Sequence, residues 1–297
     1  MAEHRIPSKR KVPLAGNEAL YDGVPKWMES SIWNWLGSKF KYTDHNGKTK
    51  YHNNYLHEVE LHCRLTFGSN SADYPLYSGL YKVFAANTDH ALDILQATVE
   101  IAEIKDRKNA WESKVIVRSD IDRLNDILIK GGSKWHVVIE DSNARMESRV
   151  DSTTIKAYKH LINDNSDFSK HLKTAWEDCF GRNPDLSGAY TNAIKAVEAA
   201  TWKVITPNNM KATLGTMLND FEAQTKAGKF NVGFKDKDAI TTLDTAHSLM
   251  QRLWKSQTDR HATGNYTNPS QLEAESAVYI AITICQMFSS GLIARKA

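Results

Sequence analysis

Four apolar stripes at helical spacing follow one another in the last third of this chain, and they constrain the fold more than anything else in it. Tyr190, Ile194, Val197, Thr201 and Val204 share one face of a segment that begins at a capping Asp185 or Ser187 and stops at Pro207. Met210, Leu214, Met217, Leu218 and Phe221 share a second, and Ile240, Leu243, His247, Met250 and Trp254 a third. The fourth runs almost without interruption from Ala277 to Phe288. Each helix needs a partner for its apolar face, and short connections make neighbours antiparallel. Consecutive amphipathic helices therefore predict a four-helix bundle, here over residues 184–297. Ile194, Val197, Leu214, Met217, Leu243, Met250, Val278 and Ile282 should meet in its core.

Upstream, residues 21–183 read as a mainly helical region with one β-hairpin. Met28, Ile32, Trp35 and Leu36 recur at helical spacing behind Pro25, and Thr88 is placed to cap a helix carrying Leu92, Leu95 and Val99. A further helix stops at Gly131-Gly132. Trp135, Val137 and Ile139 then alternate, as do Met146, Ser148 and Val150, around a turn at Asp141-Ser142-Asn143. That pattern predicts 134–140 paired antiparallel with 145–151, the one clear strand pair. Residues 1–20 read as a flexible N-terminus. The fold class is thus mainly α, in two parts.

Composition narrows function only a little. Hydrophobic residues make up 41% and charged residues 25% of the 297, as in an ordinary soluble globular protein. A net charge of +3 permits a nucleic-acid partner without demanding one. Cys63, Cys179 and Cys285 stand far apart in apolar surroundings, which suits reduced thiols in the cytoplasm. The stretch Ala277 to Phe288 is about half of the ~20 residues a membrane span requires, so no membrane partner is expected.

Several motifs fail on spacing. "NGKTK" at 46–50 has Tyr42 where a phosphate-binding loop needs its first glycine. "HEVELH" sets His57 and His62 five residues apart, rotating them by ~140° on a helix instead of bringing them to one face. His247, on an apolar stripe, reads as a packed core histidine. No metal and no cofactor is expected.

One polar segment stands out, "KSQTDRHATGN" at 255–265, between the third and fourth stripes. Histidine can act as a general acid or base near neutral pH. Arginine can hold a phosphate and stabilise charge developing on it. On RNA the nucleophile is the substrate's own 2′-hydroxyl, so the pair Arg260-His261, oriented by Asp259, needs no metal. The plainer reading is a polar loop with an incidental Arg-His pair.

The series "AYTNAIKAVEAATWKVI", "KATLGTMLNDF", "DRHATG" and "EAESAVYIAITICQMF" resembles the C-terminal region of bacterial abortive-infection type proteins of the HEPN class, over about the last 110 residues. That resemblance implies a small helical bundle, antiviral defence, metal-independent endoribonuclease activity on RNA, and a homodimer that forms the active site. It maps His261 onto the family's histidine, with Arg260 as a substitute for the family's arginine, and Glu198 onto an acidic residue of the first bundle helix. The family spaces arginine and histidine by four to six residues. Here Arg260 is adjacent to His261, Arg252 lies eight intervening residues away, and Lys255 has the spacing without being arginine. Arg252 and Lys255 are the candidate substrate-binding residues. The alternative is a non-catalytic interaction or sensor module.

Overall fold

The computed structural model describes residues 20–68, 73–109, 112–163, 165–234, 238–256 and 267–296. It is mainly helical, with short strands in two-stranded pairs. The chain divides into two compact units, one ending at Arg149 and the other beginning at Val150.

The first unit is built on α1 (Lys26–Phe40), α2 (Asn53–Cys63), α3 (Asp73–Ala86), α4 (Thr88–Ile101) and α5 (Arg118–Gly131). The stripe expected on α1 is there: Met28, Ile32, Trp35, Leu36 and Phe40 are all buried. They meet Tyr55, Leu56, Leu92, Leu95, Leu124 and Leu128 in one core. The cap of α4 is Asn87 and not Thr88. The Asn87 side chain accepts the Asp89 N–H, and Thr88 is already the first helical residue. Helix α5 ends at Gly132, which takes a φ of 78° that a side chain would resist.

The hairpin is present, in a tighter register than expected. Strands β5 (Trp135–Glu140) and β6 (Asn143–Ser148) pair antiparallel from Trp135↔Ser148 to Glu140↔Asn143. Asn143 belongs to the ladder, leaving Asp141-Ser142 as the turn. Asp141 adopts a φ of 55°, and its carbonyl accepts from Arg118 Nη2 at 2.9 Å, which holds the tight connection. The register is displaced by two residues, so the side chains keep the expected faces. Trp135, Val137, Ala144 and Met146 enter the core. Asn125 on α5 closes both backbone groups of Val137, at 2.7 and 2.8 Å.

The hairpin is not the one strand pair of the chain. Among the described residues β1 (Lys41–Thr43) pairs with β2 (Thr49–Tyr51), β3 (Glu103–Lys105) with β4 (Val115–Val117), and β7 (Phe230–Val232) with β8 (Ile293–Arg295). Each of these strands has three residues, too few to show a period of two.

The second unit holds α6 (Ser152–Leu161), α7 (Asp167–Phe180), α8 (Leu186–Ile205), α9 (Leu214–Lys226), α10 (Asp238–Lys255) and α11 (Gln271–Ser289). The eight core residues named from sequence all belong to one buried cluster. The unit begins well before residue 184, because Tyr158, Leu161, Leu172, Trp176 and Phe180 of α6 and α7 join that cluster. Tyr158 stacks on Trp176 with ring centroids 4.1 Å apart. Asp185 caps α8 by accepting the Gly188 N–H, and a capping box of Ser270 and Glu273 opens α11. Two stripe residues fall outside the core. Met210, 81% exposed, precedes α9, which Thr213 caps; Ile240, 68% exposed, sits in the first turn of α10. None of the described helices is long and apolar enough to cross a membrane.

Candidate functional site at the end of α10

Helix α10 ends at Lys255 and α11 opens at Gln271, so the two flank the segment carrying Asp259, Arg260 and His261. Those three residues lie outside the described residues. The described residues around the end of α10 are its own last turn, the start of α9, and the face of α8 between Tyr190 and Glu198.

The last turn of α10 alternates two environments. Leu253 is buried and Trp254 half-buried, while Arg252 and Lys255 are exposed. Cations at a helix C-terminus are favoured by its unpaired carbonyls, so this placement alone implies no ligand. One of those carbonyls is closed from inside, since the buried Tyr190 hydroxyl donates to Leu253 O at 3.0 Å. Arg252 also faces the start of α11. The Glu273 carboxyl lies below its ordinary range, chiefly through the hydrogen bonds from Ser270 and in smaller part through the Arg252 charge.

Glu198 has a definite partner. Its Oε1 accepts the N–H of Leu214 at 2.5 Å, at the first residue of α9. The Thr213 side chain accepts from Thr216 N, so the two side chains divide the unpaired amides of that helix start. Burial pushes the Glu198 carboxyl above its ordinary value, against the opposing pull of the Leu214 amide and of Lys195. The family-derived assignment of Glu198 to catalysis thus meets a carboxylate already committed to the backbone.

Beside this contact, α9 and α10 touch through a glycine. A Cβ on Gly215 would lie 2.4 Å from Cζ2 of Trp254, so the indole can lie against α9 only because residue 215 has no side chain. Glu198, Leu214, Gly215 and Trp254 thus form one continuous chain of contacts from α8 through α9 to α10. No sequence motif marks it, because it joins three helices.

The other sequence candidates resolve plainly. His247 is half-buried, with its ring centroid 6.3 Å from that of Phe221. His57 pairs with Glu60 at 3.2 Å and His62 with Glu100 at 3.1 Å, on different carboxylates. Among the described residues no group of three or more His, Cys, Asp or Glu is arranged to hold a metal.

One polar relay escaped the sequence reading. His171 Nδ1 lies 3.4 Å from Asn192 Oδ1, and Asn192 Nδ2 donates to Asp178 Oδ2 at 3.3 Å. Burial raises the Asp178 carboxyl, with Asp185 adding to the effect and the Asn192 hydrogen bond opposing it. The available signal was the spacing of His171 and Asp178, two turns apart on α7. No family model matches the chain, and neither a curated protein nor a solved structure matches it.

Proposed function

We propose that the second unit is a HEPN-like bundle of the abortive-infection type that cleaves RNA in the cytoplasm without a metal. The observation that carries this reading is a bundle in which α10 packs one face on the core and ends in the exposed cations Arg252 and Lys255, shortly before Asp259-Arg260-His261 in sequence. In the proposed reaction His261 takes the proton of a 2′-hydroxyl. The freed oxygen attacks the adjacent phosphorus, the bond to the 5′-oxygen breaks, and the leaving oxygen is protonated by a second acid. A second copy of His261 across a homodimer interface supplies that acid. Arg260 holds the phosphate as charge builds on it, Asp259 orients the pair, and Arg252 and Lys255 receive flanking phosphates. Glu198 enters as the residue that fixes the start of α9, not as a proton carrier.

A second reading is a non-catalytic interaction or sensor module. It is favoured by the engagement of Glu198 with Leu214 and by the adjacency of Arg260 and His261. Incubation of the purified chain with structured and single-stranded RNA in excess EDTA separates the two. The ribonuclease reading expects cleavage that survives EDTA, with His261→Ala lowering it roughly 10²–10⁴-fold and leaving the circular dichroism spectrum unchanged. Absence of cleavage from a monomeric protein would leave the module.

A further inference from the structure

The first unit carries an aromatic pocket that the ribonuclease reading does not use. Trp33 on α1 gathers three rings of α3 around it, with centroids 4.8 Å from Tyr77, 4.8 Å from Tyr81 and 5.5 Å from Phe84. Tyr81 is exposed and Trp33 half-buried, so the cluster reaches the surface instead of closing as core. Trp33, Asn34, Gly37, Ser38, Lys41 and Tyr77 surround an open cavity of roughly 310 Å³. That is the lower end of the range of small-ligand sites, about 300–1,000 Å³.

Two donors stand together in it. Tyr77 is 6% exposed, and its hydroxyl has no hydrogen-bond partner. A buried hydroxyl left unpaired is a cost to the fold that a ligand accepting from it would relieve. Burial holds it above the ordinary tyrosine range, so at neutral pH it is an intact O–H donor. Lys41 lies with Nζ 4.4 Å from the centre of the Tyr77 ring. Both groups adjoin the bare backbone of Gly37: a Cβ there would come within 2.9 Å of the Tyr77 oxygen and 3.8 Å of the Lys41 nitrogen. Lys41 is exposed, so its ammonium is free to follow an anion into the cavity.

We infer that this pocket binds a nucleoside phosphate, its base stacked on Trp33 and its phosphate held by Lys41 and the Tyr77 hydroxyl. The chemistry selects against the other occupants of aromatic sites. A cationic ligand would have to share the Tyr77 face with the ammonium already there. An apolar ligand would leave the Tyr77 hydroxyl unsatisfied. A planar ring joined to an anion satisfies the ring faces and the donors together, and aromatic stacking is tolerant of base identity. The phosphate could belong to a free nucleotide or to a single strand. The site stands on a different unit from Arg260 and His261 and does not depend on the ribonuclease reading.

The test uses the full chain, with calorimetric titration of uridine and adenosine 5′-monophosphate and fluorescence anisotropy of a labelled eight-nucleotide oligouridylate. Binding of the mononucleotides assigns the free nucleotide; binding of the oligonucleotide alone assigns the strand. In either case Tyr77→Phe should weaken binding roughly tenfold or more, because it deletes a hydrogen bond to a charged group. It should melt at or above the wild-type temperature, because it removes an unpaired buried hydroxyl. Lys41→Gln should weaken strand binding and reduce the slope of log affinity against log salt by about 0.7. Wild-type affinity in Tyr77→Phe overturns the assignment, as does absence of binding in both arms. So does strand binding that Arg252→Gln and Lys255→Gln abolish while Lys41→Gln leaves it intact.

Discussion

Glu198 is the residue at which a structural and a chemical role can be separated most cleanly. Glu198→Ala removes the acceptor for the N–H of the fully buried Leu214. A buried amide left without a partner costs about 1–3 kcal/mol. For a unit of this size each kcal/mol moves the melting temperature by about 2–4 °C, so about 2 kcal/mol should lower it by about 4–8 °C. Glu198→Gln keeps an acceptor oxygen in the same place and should melt close to wild type at about pH 4, where the carboxyl is protonated. The two differ further with pH. Burial raises the folded-state pKa of Glu198 above the ordinary 4.5, so the folded protein holds the proton more tightly than the unfolded chain. The contribution is therefore fully present below the unfolded pKa and is lost as pH rises through the folded one. Wild type should thus lose stability relative to Glu198→Gln as the pH is raised from about 4 toward neutrality. Thermal melts followed by circular dichroism across that range read both effects. Equal destabilisation by Ala and Gln would refute the reasoning, as would an Ala variant that melts like wild type.

Other expectations follow from the same kind of contact. Asp120→Ala should cost the first unit about 3 kcal/mol, because Lys39 is 4% exposed and loses the carboxylate that it pairs with. Burial already lowers the Lys39 pKa below 10.5, so the deficit measured by denaturant melts should shrink as pH rises toward that value. Gly215→Ala should cost about 1–3 kcal/mol by driving Trp254 off α9, whereas Gly228→Ala, with open space around the new Cβ, should show only the strain of its φ of 65°. Met250→Ala should cost about 2–5 kcal/mol as a fully buried core truncation, checked by the same melts.

What the sequence made legible was periodic. The stripes on α8 to α11 placed Ile194, Val197, Met217, Met250 and Ile282 in one core because a period of 3.6 is written into the order of residues. The faces of the hairpin were equally legible, since Trp135 and Val137 alternate. Its register was not, because that depended on Asp141 accepting a positive φ and on the bond from Arg118, distant in sequence. The strands β1 to β4 were invisible for a related reason: each has three residues, and what fixes it is its neighbour. Boundaries misled where a polar residue could serve two ways. Thr88 and Asn87 are both capping types, and only the bond to the Asp89 amide chooses between them.

The candidate site divides along the same line. Sequence can single out a dense polar segment such as Asp259-Arg260-His261, since its residue types are adjacent. It cannot show how the helices around the end of α10 are held together. There Glu198 on α8 binds the first amide of α9, and Gly215, one residue further on, receives Trp254 of α10. Three helices are therefore fixed to one another within a few ångströms of the last turn of α10, and the direction in which that helix delivers Arg252 and Lys255 depends on the start of α9. On the proposed ribonuclease reading, a substitution at Glu198 that alters cleavage can do so through this chain of contacts without the carboxylate ever meeting substrate. The distinguishing result is in the amide variant. If Glu198 acts by position, Glu198→Gln retains activity with an unchanged pH profile while Glu198→Ala loses it. If the carboxylate carries a proton, both variants lose activity and the acidic limb of the profile disappears with them.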